Sequence, residues 1–196
     1  MVRKVLAVSG ALVALSLAFV ASRPSAFAVE RSASFEAPPA VVYGLLQDFH
    51  TWEGWSPWAK LDPAMKTTYG GPATGVGATY AWDGNDEVGA GKMTIADAKA
   101  NEAVGITLEF LRPFATTNRT DFLLAPAGAG TKVTWRMSGH HNFVGKAFCL
   151  FMDMDKMVGK DFEKGLAQLK PLAEGEAKKS AALPAAAPPA VADAAP

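Results

Sequence analysis

The sequence predicts an α+β domain, an antiparallel meander of short strands covered by one long C-terminal helix. Three observations predict it. Between Met65 and His140 apolar residues alternate with polar ones, and hairpin-length turns separate the segments, which suits antiparallel neighbours and leaves no room for helical crossovers. From residue 143 to 173 the spacing becomes helical, with Phe151, Met154, Val158, Phe162, Leu166 and Leu169 stepping by three or four. Ahead of the meander, Val41, Val42, Leu45, Leu46 and Phe49 form one apolar face of a short helix opened by Pro39.

In chain order, Arg3 and Lys4 precede a charge-free, mainly apolar run of 17 residues from Val5 to Ala21, then Ser22-Arg23-Pro24. This is the layout of a secretory signal or of a single membrane anchor, since a spanning helix needs roughly 17 to 25 residues. Ala26-Phe27-Ala28 supplies an A-x-A cleavage pattern, whereas Arg23-Pro24 also suits the end of an uncleaved anchor. Both readings keep the N-terminus cytoplasmic and export the rest of the chain to a periplasmic or other extracytoplasmic location. Residues 1–28 are therefore set apart from a domain over residues 29–174. Residues 175–196, mostly Ala, Pro, Lys and Gly, are expected to be a disordered tail.

The domain carries 14 Lys plus Arg and 17 Asp plus Glu, a net charge of 14 − 17 = −3, which argues against a nucleic-acid partner. Cys149 is the single cysteine and sits in an apolar run, so it packs rather than forming an internal disulfide.

Arg31 to Glu36 reads as a short strand stopped by Ala37-Pro38-Pro39. After the first helix, Trp52-Glu53-Gly54-Trp55-Ser56-Pro57-Trp58 gathers three of the five tryptophans beside a Gly and a Pro, so it is expected to form a compact loop with its rings turned inward. Ala78, Tyr80 and Trp82 share one strand face, and Gly84-Asn85-Asp86 turns the chain. Gly91, Met93 and Ile95 form the next face; Val104, Ile106, Leu108 and Phe110 alternate strictly with polar or small neighbours. Phe122 and Leu124 oppose Asp121 and Leu123, and Val133, Trp135 and Met137 oppose Lys132, Thr134 and Arg136. The last helix is expected to end at Pro171 after about 20 residues, some 30 Å.

Ala37-Pro38-Pro39, Asp48-Phe49, Trp55-Ser56-Pro57-Trp58, Gly75-Val76-Gly77-Ala78, Gly130-Thr131-Lys132-Val133-Thr134-Trp135 and Asp161-Phe162-Glu163-Lys164-Gly165-Leu166 together resemble bacterial proteins of the SRPBCC superfamily, which groups START-type lipid-transfer domains with polyketide cyclases and dehydratases. The resemblance covers roughly residues 29–173. It implies a helix-grip fold, in which the sheet curls around the C-terminal helix and leaves an apolar cavity. Relatives of this subgroup have an N-terminal hydrophobic segment followed by Arg-Pro and an aromatic residue; Arg23, Pro24 and Phe27 match, which favours the uncleaved anchor.

On this reading Trp55, Trp58, Tyr80, Trp82, Met93, Phe110, Phe122, Trp135 and Met137 face Phe151, Met154, Met157 and Val158 of the helix across the cavity, each residue being either lining or plain core. Methionines suit both roles, since flexible thioethers adapt to varied apolar shapes. His140 and His141 are weak catalytic candidates: adjacent on a strand, they point to opposite faces, so at most one serves as an acid or base. His50 beside Asp48 is similar. Asp153 and Asp155, two apart on a helix, cannot share a metal ion, and neither a metal nor a cofactor is expected. Asn118-Arg119-Thr120 fits the N-glycosylation pattern, and Gly70, Gly71, Gly75 and Gly77 lack the context of a phosphate loop. Three functions stay open: a binding protein for a hydrophobic small molecule or lipid, a cyclase- or dehydratase-like enzyme, and an envelope interaction protein with a filled cavity.

Overall fold

Seven strands form one antiparallel sheet in the order β1-β7-β6-β5-β4-β3-β2, so β2 to β7 run as a meander and the first strand returns to the last. The computed structural model describes residues 2–182, apart from the side chains of residues 3, 5, 7 and 8. The elements are α1 (Val2–Ser22), β1 (Ala26–Phe35), α2 (Pro39–Gln47), a 3-10 helix (Phe49–Gly54), β2 (Lys66–Gly70), β3 (Thr79–Asp83), β4 (Ala90–Lys99), β5 (Ala103–Arg112), β6 (Thr116–Ala127), β7 (Gly130–His140), α3 (Phe143–Phe148) and α4 (Met154–Ala182). This is an α+β helix-grip fold, as the sequence predicts.

The alternation buries one face. Val29 and Phe35 of β1, Ile95 of β4, Val104 and Ile106 of β5, Phe122 and Leu124 of β6, and Val133, Trp135 and Met137 of β7 all turn into the core. They meet Val42 and Leu46 of α2 and Phe162, Leu166, Leu169 and Ala173 of α4. Helix α4 lies along β1, fixed at three points. Arg31 of β1 bonds Asp155 at 3.0 Å and Glu163 at 2.7 Å, and the Glu36 backbone N–H donates to Glu174 at 2.9 Å.

Three boundaries differ from the sequence expectation. The sheet starts at Ala26, where Ala26, Phe27 and Ala28 pair with His140, Gly139 and Ser138, so the A-x-A pattern is built into β1. The long apolar stripe is broken between α3 and α4, where Asp153 accepts a hydrogen bond from the Lys156 backbone and opens the second helix. That helix runs through Pro171 to Ala182, 29 residues in all. Proline removes one backbone bond, but Pro171 is exposed, so the freed carbonyl meets water, while fully buried Leu169 and Ala173 on either side hold the helix on the sheet. Residues 175–182, expected as tail, are thus helical; residues 183–196 of that tail lie outside the described residues. Among the described residues no helix is long and apolar enough to cross a membrane.

Candidate functional site

The tryptophan segment is anchored from below. Asp48 accepts from the His50 backbone at 2.9 Å and caps the 3-10 helix, and the Trp52 indole donates to the Leu46 carbonyl at 3.2 Å. These bonds turn Trp52 and Trp55 into the core, both buried, and leave Trp58 half-buried.

There the rings fill the space that the sequence reading left as a cavity. Trp135 stacks on Phe162 of α4 at 4.2 Å and 7°, Trp55 meets Trp135 edge-on at 5.7 Å, and Trp58 does so at 5.8 Å. Phe122 closes the cluster at 4.9 Å from Trp135. Helix α4 comes this close because residue 165 is glycine: a Cβ there would stand 2.6 Å from the Trp135 ring. Trp55, Phe122, Trp135 and Met137 are therefore core. The reason is volume, since three indoles in edge-to-face contact occupy what smaller side chains would leave open.

The open part of the concave face lies further along the sheet. Registers Tyr80↔Met93↔Leu108 and Trp82↔Gly91↔Phe110 set five large side chains side by side on β3, β4 and β5, all half-buried. The rings form a rail: His50 on Tyr69 at 4.1 Å, Tyr69 to Tyr80 at 5.4 Å, Tyr80 to Trp82 at 6.1 Å and Trp82 to Phe110 at 5.9 Å. Between this rail and the segment from Trp52 to Met65 is a pocket of about 240 Å³, floored by Trp52, Tyr80 and Met93 and rimmed by Glu53, Ser56, Asp62 and Tyr69. Burial, and then the neighbouring Tyr69 and Glu53, push the Tyr80 phenol up to about 12. Burial likewise raises Tyr69. Both phenols stay protonated at neutral pH and offer hydroxyl donors beside apolar ring faces. Asp62 is occupied with the backbone N–H groups of Ala64 and Asn85.

The remaining predicted positions fall elsewhere. Phe151, 88% exposed, sits in the link before α4 and points to water, because the helix starts three residues later than the stripe implied. Met154 and Val158 are half-buried on the first turns of α4, and Met157, 42% exposed, falls on its flank. His140 lies on the outer face of the sheet, in a shallow open depression of about 700 Å³ that it shares with Arg119 and Arg136. That depression is larger than the inner pocket, but Arg119 is already paired with Asp97 and Asp121, and its shape encloses little.

His141 stacks on Phe27 at 4.4 Å, and its Nε2 lies 3.4 Å from the Cys149 sulfur. Burial lowers the imidazole pKa and raises that of the thiol, so both groups are held neutral, the opposite of an activated thiolate–imidazolium pair. Neither histidine reaches the inner pocket. Asn118 is buried in β6, which rules out its use as a glycosylation site. Among the described residues His, Cys, Asp and Glu do not gather in metal-binding groups of three. Tyr69 and the His50–Asp48 pair were not singled out as lining residues from the sequence. Lys66-Thr67-Thr68-Tyr69 carries no apolar alternation, and the short strand that presents Tyr69 is exposed along its whole length.

A curved sheet gripping one long helix, with a pocket at the open end of the grip, defines an SRPBCC-type helix-grip domain. The chain belongs to the family described as polyketide cyclase / dehydrase and lipid transport, whose model matches residues 26–174. Solved structures of the same fold include the Aha1 dimer from Colwellia psychrerythraea, 18% identical over 76% of this chain and 96% of that one with a TM-score of 0.55. Protein CV1439 from Chromobacterium violaceum is 16% identical over 75% and 96%, TM-score 0.53. Protein SA2116 from Staphylococcus aureus, of unknown function, is 10% identical over 80% and 98%, TM-score 0.60. No curated protein matches the chain.

Proposed function

We propose that this domain is a non-catalytic binding protein for a small hydrophobic molecule, or for one end of a lipid, held on the aromatic rail of β3–β5 under the tryptophan segment. The observation that carries this reading is the half-exposure of Tyr80, Trp82, Met93, Leu108 and Phe110 on the concave face, while Phe122, Trp135 and Met137 further along it are buried. The pocket, about 240 Å³, falls below the roughly 300 to 1,000 Å³ of a typical ligand site, which favours a ring-sized group over a whole lipid. Binding fits better than catalysis because the titratable groups with shifted pKa values here are phenols held protonated, His140 and His141 lie elsewhere, and His50 stacks on Tyr69 without lining the pocket. The chain is proposed to act outside the cytoplasm, delivered there by residues 1–22.

A second reading, an envelope interaction protein without a ligand, is favoured by the filled space at Trp55, Trp135 and Phe162. Titration with anilinonaphthalene sulfonate, together with native mass spectrometry and lipid extraction, separates the two. Saturable probe binding that Tyr80→Ala abolishes supports the binding protein. Absence of both probe binding and any extracted molecule overturns it.

A further inference from the structure

Outside α1, the exposed large apolar residues concentrate at one end of the sheet. In the antiparallel register the start of β1, the end of β7 and the β5–β6 turn share that end, as Ala26↔His140 and Phe110↔Thr116 show. Leu111 and Phe114 stand exposed on the β5–β6 turn. Phe143, Val144 and Phe148 stand exposed on α3, and Leu150, Phe151 and Met152 follow in the link to α4. A soluble surface scatters such residues singly; here α3 and the link carry six within ten positions.

The same stretch is free of acidic residues from Met137 to Met152, and it carries Lys146. That lysine donates to the Ala21 carbonyl at 3.1 Å, tying α3 to the C-terminal end of α1, where Arg23 lies over the Phe19 ring at 5.5 Å. Helix α1 is itself exposed and apolar at Leu12, Leu15, Leu17 and Phe19, and at about 1.5 Å per residue its 21 residues extend some 31 Å. The apolar surface of α3 is thus continuous with that of α1, and Arg23 and Lys146 mark the seam between them.

We propose that α3 and the Leu150–Met152 link dock on a phospholipid bilayer, with the aromatic and aliphatic side chains entering the headgroup–acyl boundary and Lys146 and Arg23 facing lipid phosphates. A bilayer is the occupant that matches both features: a helix exposed and apolar at Leu12, Leu15, Leu17 and Phe19, and an adjoining apolar patch flanked by cations. Docking through α3 does not require α1 to cross the bilayer, and it does not depend on a ligand in the pocket. It does set the sheet end bearing Trp82 and Phe110 toward the lipid.

The test uses the full chain with vesicles of phosphatidylcholine containing a quarter phosphatidylglycerol. Phe151→Cys in a Cys149→Ser background carries a polarity-sensitive fluorophore, and Ala100→Cys in the β4–β5 turn, at the opposite end of the sheet, is the reference. Expected is a several-fold rise in emission at position 151 and its quenching by brominated lipids, with neither at position 100. Hydrogen exchange of the unmodified chain guards against a variant that folds poorly: residues 143–152 are expected to slow when vesicles are added. A label at 151 that stays as water-exposed as the one at 100 while the chain is vesicle-bound, with unchanged exchange, overturns the proposal and leaves the patch to a protein partner. Failure of the chain to associate with vesicles overturns it equally, and neither result bears on probe binding in the pocket.

Discussion

The guanidinium of Arg31 lies flat across Gly159, gripping Asp155 one helical turn before it and Glu163 one turn after. A Cβ at 159 would overlap the guanidinium, so glycine there leaves the room in which the doubly bridged arginine sits.

Gly159→Ala is therefore expected to destabilise the domain despite the better helix propensity of alanine. Overpacking of about 1 to 3 kcal/mol is partly offset by about 1 kcal/mol of propensity. The reading is a lower urea midpoint at unchanged slope. In an Arg31→Ala background the same substitution should be neutral or stabilising, and additivity of the two changes would disprove the coupling.

Phe162→Ala removes one plate of the Trp135 stack and should cost about 3 to 5 kcal/mol. Trp135→Phe should cost clearly less than that series suggests, because the buried Trp135 indole N–H has no hydrogen-bond partner and its removal relieves a desolvation penalty of about 1 to 3 kcal/mol. Equilibrium denaturation of both variants checks the order.

Probe affinity in the pocket should be flat from neutral pH to about 10. The Tyr80 phenol, pushed up to about 12 mainly by burial, keeps its proton throughout that range. Near-ultraviolet absorbance titration should show one tyrosine ionising last. A fall in affinity that tracks an ordinary phenol near pH 10 would place the probe elsewhere.

Stability should fall in two stages on acidification. Burial depresses the His141 pKa, so its neutral form is favoured in the fold, and stability present above the unfolded value near 6.5 is lost as pH falls below it. Hydrogen bonds from Arg31 and Arg119 hold the Asp155 and Asp97 carboxyls below their ordinary 3.8, so their contribution is present above that value and lost as pH falls through the lower folded pKa. Melting curves from pH 8 to 3 should show both stages, and His141→Gln should remove only the first.

A chain beginning at Ser25 should melt above one beginning at Val29. The shorter chain loses three paired residues of β1 and the Phe27–His141 stack, a loss of at least about 1 kcal/mol. Equal melting temperatures would show that Ala26–Ala28 add nothing to the sheet.

Much of the fold was legible because period two and period four are written directly in residues such as Val104, Ile106 and Leu108, or Phe162, Leu166 and Leu169. The end of α4 was not, because local chemistry at Pro171 says stop while tertiary burial of Leu169 and Ala173 carries the helix on. The lining was half legible. Alternation puts Tyr80, Trp82, Trp135 and Phe122 on one face, but only the position of α4 on β1 separates those that are sealed from those that stay open. Tyr69 escaped notice because β2 is exposed along its whole length and carries no buried face to reveal it.

That exposed strand also bears on how an open sheet resists pairing with a foreign strand. The sheet is open, with two terminal strands, and the β1 margin is screened by α4. The β2 margin has no such screen and is instead kept to five residues, Lys66-Thr67-Thr68-Tyr69-Gly70, with a charge at its start and glycine at its end. A short, polar, cationic margin is a poor template for adding a foreign strand. Lengthening β2, or replacing Lys66 with an aliphatic residue, would turn a protected border into a seed for fibrous self-association.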